Sequence, residues 1–538
     1  MNKIFKKATL LLAIGAILTG FTACSDRDDE VMENNFSRLF MPYDLEVKTP
    51  DKTTAEIKFM NMDHNVEKFV LEAYLNDAEQ KYDSEGATPD ITVEQAFDGD
   101  IDNEQVIVLE DLEADAAYSV RVKAVSTTLN KESQWAKELI GSNIFNKVLD
   151  ADKTTSTIKV SWWKNFPVTR ITLKEGKETL VNRDLTAEEL ENCEATFDGL
   201  KPYTKYTFNI YNETKEKGEI DVMTQPNFVE VAPDADLQAA INTLEDGQAI
   251  LLQAGEYTPE ENIQITKTTY IKGVSGTVLN TAIYLSEKAG LELANLKLNG
   301  SLMTKGAYAF NYGDTEGSFE EINVHDCEIY GYDKGILGVN NDGVKQTLKS
   351  VVFDNNIIHD FATNGSDFFD IRTAYVKSVT FTNSTFYNIA TAGRDFFRHD
   401  AAEANYPDIT TGPAYKVDHC TFYNICGDGE ISKSNRRLFY LRFANNTISF
   451  TNNIVAKTFY KRGFTDQTTT DQSPELKKNF YYNTENFVTA SENGAATIRW
   501  FDTKGTELTS NPFANAEGYD FHVSDATLMK VGDPRWAK

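Results

Sequence analysis

One segment recurs six times in the C-terminal half of this 538-residue chain, and it constrains the fold more than any other feature. The copies align at Leu293-Ala294-Asn295, Val324-His325-Asp326, Phe353-Asp354-Asn355, Phe381-Thr382-Asn383, Val417-Asp418-His419 and Phe450-Thr451-Asn452. Their first residues lie 31, 29, 28, 36 and 33 positions apart. Five positions later each copy has an apolar residue: Leu298, Ile329, Ile358, Phe386, Phe422 or Val455. A single unit of this length cannot bury its own apolar face, but a stack of units can, so the pattern predicts a solenoid. The polar third position predicts side chains stacked beside a turn. The 36-residue interval accommodates residues 401–412, which are expected to project as a loop.

Before the repeat, the pattern Leu237-Gln238-Ala239-Ala240-Ile241 reads as a short amphipathic helix. It leads through Asp246-Gly247 to the strand Ala249-Ile250-Leu251-Leu252, then Ala254-Gly255-Glu256-Tyr257 and Tyr270-Ile271-Lys272-Gly273. A parallel solenoid needs its first coil covered, because an open end exposes apolar side chains and a strand edge. This order resembles the capping helix and first coils of pectate-lyase-like right-handed parallel β-helices. The closing Asn511-Pro512-Phe513 and Gly532-Asp533-Pro534-Arg535-Trp536 resemble the tails of surface β-helix polysaccharide lyases. The resemblance implies a right-handed parallel β-helix over residues 226–538.

Residues 37–225 have a different texture, with short strands of period-two alternation such as Ala55-Glu56-Ile57-Lys58-Phe59 and Thr157-Ile158-Lys159-Val160-Ser161-Trp162. Leu112 is followed six residues later by Tyr118, then Val120 and Val122; Leu200 is followed six residues later by Tyr206, then Phe208 and Ile210. This spacing resembles the tyrosine corner of fibronectin type III and immunoglobulin-like sandwiches, with Trp162 as a core tryptophan. It implies one such domain over 37–140 and a second over 141–225. The expected class is therefore all-β: two sandwiches and then a β-helix.

The N-terminus carries an address. Lys3, Lys6 and Lys7 precede the apolar run 8–21, and Thr22-Ala23-Cys24 follows. A basic start, an apolar stretch too short to span a bilayer and small residues at its end make a secretory signal over 1–23. The segment resembles a bacterial lipoprotein lipobox, which implies acylation of Cys24 and an outer-membrane anchor. The polar, acidic residues 24–36 read as a solvated tether, and they resemble the export signal of surface lipoproteins in glycan-uptake systems. The scattered Cys193, Cys327, Cys420 and Cys426 imply no disulfide framework.

The net charge of −29 excludes a nucleic-acid partner, because phosphate binding needs a basic footprint. Against that background, Lys433, Arg436, Arg437, Arg442, Lys457, Lys461 and Arg462 form a run with no Asp or Glu between them. A second recurring strand, Asp367-Phe368-Phe369-Asp370-Ile371-Arg372, aligns with Asp395-Phe396-Phe397-Arg398-His399-Asp400 and with Arg437-Leu438-Phe439-Tyr440-Leu441-Arg442. That register stacks Asp370 near Arg398, and Arg372 near Asp400 and Arg442. It predicts either an exterior ion-pair ladder or a face for an acidic polysaccharide, since guanidinium forks match carboxylates. The glycan-binding candidates are Arg372, Arg398, Arg436, Arg437, Arg442, Tyr440, Lys461 and Arg462, with Phe459, Tyr460 and Phe464 as further aromatic faces.

Val417-Asp418-His419-Cys420-Thr421-Phe422 followed by Asp428-Gly429 is similar to the calcium-binding segment of family 1 pectate lyases. That resemblance implies Ca²⁺ at Asp418, with Asp370 and Asp400 as further carboxylate ligands. It departs from the family at Lys416, where a tryptophan is expected, and at Ser432, where a second carboxylate is expected. β-Elimination needs a group to neutralise the carboxylate, a base and an acid. Arg398, His399 and Arg442 are the candidates. The leading expectation is a cell-surface glycan-binding lipoprotein taking a pectic, uronate-containing polymer; the alternatives are an active polysaccharide lyase and a structural or adhesive protein.

Overall fold

The computed structural model describes residues 38–48, 54–75 and 88–537, apart from 102, 111, 113–117, 141–143, 147, 165–167, 304–305, 314, 340–343, 427–434 and 493. The signal, Cys24 and the tether lie outside the described residues. So do Asp428, Ser432 and Lys433. The chain divides into two compact units, one of residues 1–147, 160–195 and 207–221, the other of residues 148–159, 196–206 and 222–538. No helix among the described residues is long and apolar enough to cross a membrane.

In the first unit, Tyr43–Lys48, Ala55–Met60 and Gln105–Leu109 form an antiparallel sheet. A second antiparallel sheet joins Ile91–Ala96, Lys68–Leu75, Tyr118–Ser126 and Lys131–Glu132, with Ala136–Ile140 also on Tyr118–Ser126. The alternation seen in the sequence sends Ile57, Phe59, Phe69, Leu71, Val120 and Val122 into one shared core. This is a fibronectin type III-like sandwich. A second set of strands follows, in the order Glu178–Asp184, Arg170–Glu175, Lys205–Asn212, Lys215–Met223, with Ile158–Ser161 paired to Glu194–Phe197. Trp162 is buried. Tyr206 is buried too, and its hydroxyl accepts a 2.9 Å bond from the Lys201 backbone N–H, as a tyrosine corner requires.

From Asn227 onward the strands run parallel. The first sheet stacks ten strands from Asn227–Val231 to Glu475–Lys477, and the second ten from Gly255–Tyr257 to Thr506–Leu508. The third stacks seven, from Ile263–Ile265 to Phe439–Leu441. A smaller sheet joins Gly317–Phe319, Gln346–Leu348 and Tyr375–Val376. This is a parallel β-helix. The repeat stacks in the register its spacing predicts: Leu293, Val324, Phe353, Phe381, Val417 and Phe450 pair in one column. Leu298, Ile329, Ile358, Phe386, Phe422 and Val455 pair in another. The polar third position is the corner itself. Asn295, Asp326, Asn355, Asn383, His419 and Asn452 all take left-handed φ between 50° and 56°. Short polar side chains tolerate that conformation best, which explains the residue choice.

The helix Leu237–Thr243, capped by the Asp236 carboxylate on the Ala239 N–H, buries Leu237 and Ile241 over the first coil. Residues 401–412 do not project as expected. Ala402 and Tyr406 are buried with Tyr375 and Phe443, and the Tyr406 hydroxyl accepts from Gln346 N–H and donates to carbonyl oxygens on the solenoid. The segment folds back because its aromatic and small residues complete a cluster beside the short fourth sheet. The C-terminal tail also folds back, across the outside of the second sheet, burying Phe513, Phe521, Val523, Leu528 and Val531 against Tyr387, Tyr423 and Ile454.

Candidate functional site

On the third sheet every second residue points outward. Phe369, Ile371, Phe397, Phe439 and Leu441 fill the core, while Asp370, Arg398 and Tyr440 stack in register outside it. Arg372, Asp400 and Arg442 take the next outward positions. One coil earlier stands Gly338, and the Tyr308 ring lies where its side chain would be, 2.5 Å from an added Cβ. The Tyr308 hydroxyl donates to Asp370 Oδ2 at 3.0 Å, and Asp370 is wholly buried beneath it although it faces outward.

Each arginine is held by an aspartate. Arg372 forks onto Asp370 with two 2.9 Å bonds. Arg398 forks onto Asp400 at 3.0 and 2.8 Å and reaches Asp367 at 3.3 Å. Arg442 approaches Asp400 Oδ1, which it shares with Arg398, to 2.9 Å. Arg436 lies 3.6 Å from Asp395, and Arg437 lies 3.1 Å from Asp466, which also binds Arg462. The Tyr440 ring sits among three guanidinium carbons, of Arg437, Arg442 and Arg398, at 4.4, 4.9 and 5.4 Å from its centroid. Such cation–π contacts fix ring and guanidiniums together.

The charges are sorted by depth. The side chains of Arg372, Arg436 and Arg442 are 33, 35 and 36 % exposed, while their partners Asp370, Asp395 and Asp400 are 0, 1 and 15 % exposed. Burial pushes Asp395 up to about 6, only partly offset by Arg437. Burial and the neighbouring Asp370 also raise Asp367. At Asp400 burial acts in the same direction, but the bonds from Arg398 and Arg442 outweigh it and hold the carboxylate below its usual range. The surface of the cluster therefore presents guanidiniums around a tyrosine, with the compensating acids beneath.

Other candidates lie elsewhere. His399 neighbours Arg398 in sequence, so strand alternation turns it inward. It is wholly buried, bonded to the Tyr415 hydroxyl and the Ala374 carbonyl, and burial lowers its pKa to about 4. It cannot serve as an acid or base on this face. Arg437 is buried and acts as a spoke behind Tyr440. Phe459, Tyr460 and Phe464 are buried and offer no face to a sugar. Lys461 is half-buried beside Arg462, with no ion-pair partner among the described residues. Asp418 sits on the first sheet, paired in register with Thr382 and accepting bonds from Thr451 and Asn452, so solenoid stacking accounts for it. It does not meet Asp370 and Asp400, which are spent on arginines. Among the described residues no cluster of three or more His, Cys, Asp or Glu is arranged to hold a metal ion, so the expected calcium set does not assemble. Sequence reasoning missed Asp367, Asp395, Asp466 and Tyr308 as the supports of the arginines. The recurrence of Asp-Phe-Phe at 367 and 395 was the available signal.

Two family models match the solenoid: residues 255–389 match the domain of unknown function DUF4957, and residues 415–536 match the domain of unknown function DUF5123. No curated protein matches the sequence. Among solved structures, a two-domain fibronectin type III segment of chicken tenascin is 17 % identical over 34 % of this chain and 99 % of its own, with a TM-score of 0.16. The central fibronectin III array of RIM-binding protein is 14 % identical over 36 % of this chain and 64 % of its own, with a TM-score of 0.15. By sequence the chain is thus similar to two uncharacterised domain families, adjoining along one β-helix.

Proposed function

We propose that the chain is a surface lipoprotein that binds an acidic, uronate-containing polysaccharide through the outer face of the third sheet. The observation that carries this reading is the sorting of charge by depth. A ladder built only to cancel charge would expose both signs alike, and exposed pairs of that kind contribute little to stability. Here the acids lie beneath, Arg372, Arg436 and Arg442 are half-exposed, and Arg442 lies against the Tyr440 ring together with Arg398 and Arg437, in a chain of net charge −29. Preorganised guanidiniums match carboxylates bidentately, and a tyrosine face suits a sugar ring. Binding is favoured over β-elimination because the histidine offered as acid or base is sealed in the core.

Affinity electrophoresis in gels containing polygalacturonate tests this. Wild type is expected to be retarded, less so at high salt, and the Arg436→Ala/Arg442→Ala variant to bind about tenfold more weakly. Ultraviolet absorbance of the same polymer solution should stay flat, with no unsaturated uronide formed. Migration unaffected by any uronan would overturn the reading. The anchor is tested separately: Cys24→Ala should move the protein from the membrane fraction to the soluble one.

A further inference from the structure

A second concavity lies away from the third sheet, where the corner between the first and second sheets meets the end of the C-terminal tail. It is a groove of about 760 Å³, within the range of small-ligand sites. Lys272, Asn295, Lys297, Asp326 and Glu328 line it from the early coils, and Arg535 lines it from the tail. Gly273, at its floor, lets the next coil approach closely. A Cβ there would come within 2.7 Å of the Asn295 carbonyl oxygen and 2.8 Å of Leu296.

Three features mark this groove as built for a ligand. The Arg535 guanidinium is fixed from behind, 3.0 Å from Asp533, and donates to Asn355 Oδ1 at 2.6 Å. Asp533 is itself only 2 % exposed and accepts a 2.7 Å bond from the Thr385 hydroxyl, so the guanidinium is held by a chain of buried bonds. Three coils earlier along the same groove, the Lys272 ammonium has no carboxylate partner among the described residues; it sits over the Phe228 ring at 5.9 Å. The exposed Asn295 side chain, at the left-handed corner, makes no hydrogen bond among the described residues. Lys297 and Glu328 neutralise each other at 2.6 Å, and Asp326 is taken up by His325 and Asn355, with oxygens left to accept from hydroxyls. Two fixed or uncommitted cations, a free amide and paired carboxylates form a mixed donor and acceptor surface. That mixture suits a hydroxyl-rich ligand with an anionic group, and it does not suit a long polyanion.

We propose that this groove is a separate binding site for a short acidic oligosaccharide laid along the coils, with one carboxylate at Lys272, another at Arg535, and hydroxyls meeting Asn295, Asp326 and Glu328. The ligand class rests on the acidic-glycan reading above; the site itself does not. Calorimetric titration with trigalacturonate, in the Arg436→Ala/Arg442→Ala background where the third-sheet face is weakened, reads the groove. Saturable binding is expected to survive there. Lys272→Ala should then weaken it by at least about tenfold, and Asn295→Gly, which keeps the left-handed backbone, by a few fold. Neither side chain carries a structural hydrogen bond, so both variants should melt like their parent. A neutral trisaccharide should bind far more weakly than trigalacturonate. Absence of saturable binding in the background variant, or an affinity unchanged by Lys272→Ala, would overturn the proposal. Retardation by the polymer should respond to Arg436→Ala/Arg442→Ala and affinity for the trimer to Lys272→Ala, so failure of one site is distinguishable from failure of the other.

Discussion

His325 shows how one side chain sets a pH dependence. Its Nδ1 lies 2.7 Å from Asp326 and its Nε2 3.3 Å from Glu292, on the first sheet. Burial opposes its charge, but the two carboxylate bonds outweigh burial and raise the pKa from 6.5 to about 9. A folded pKa above the unfolded one means that the protonated form favours the native state. That contribution is complete below about 6.5 and is lost as pH rises through about 9. The melting temperature should therefore fall between these limits, and the fall should be smaller in His325→Gln. Equal slopes in the two proteins would rule out this histidine as the cause. At the same scale, His399 shows what sequence adjacency conceals. Beside Arg398 it looks like one cluster, yet consecutive strand residues face opposite ways, and the same alternation that correctly stacked Asp370, Arg398 and Tyr440 places His399 in the core.

At the scale of the element, the corner between the first two sheets was legible because its demand is local. A left-handed backbone selects Asn, Asp or His, and that selection writes itself into the repeat. The next position inward was not legible. It holds Leu296, Cys327, Asn356, Ser384, Cys420, Asn453 and Asn479 in successive coils, a mixture with no pattern to read. In the structure some of these form a buried ladder. Asn453 Oδ1 accepts from Cys420 N–H at 2.9 Å, its own N–H donates to Asn479 Oδ1 at 3.0 Å, and its amide donates to the Val417 carbonyl at 3.1 Å. Asn453 is wholly buried. Asn453→Ala should leave the Cys420 N–H without a partner, at a cost of about 1–3 kcal/mol in denaturant unfolding. A change below about half a kilocalorie per mole would mean that water replaces the amide.

At the scale of the whole β-helix, coils touch mainly their neighbours, and such arrays tend to fray from their ends. The tail opposes this. Thr385 and Trp536 share a 2.7 Å bond, Asp533 N–H donates to Thr421, Gly532 N–H donates to the Asn452 carbonyl, and Tyr519 stacks on Tyr387 at 4.5 Å. A chain ending at residue 508 should bare the Tyr387 and Tyr423 faces, bind a hydrophobic dye and unfold with a shallower denaturant slope than the full chain. An unchanged slope would show that the coils cooperate without the tail. None of this was evident from the sequence, where the tail reads only as a family-like ending; its partners lie 80 to 180 residues away.

The partners of the tail also make it a gauge of register. Stacked repeats look alike to one another, so a solenoid can in principle pair a coil with the wrong neighbour and still bury its apolar residues. A slip of one coil displaces a strand by about 4.8 Å. Asn355, Thr385, Thr421 and Asn452 belong to four different coils, and the tail reaches all four only if every one occupies its proper place. A mispaired stack would leave Asp533 and Arg535 facing each other with no third partner. Docking of the tail thus acts as an inspection of the finished stack, passed by one arrangement among many that are nearly as well packed.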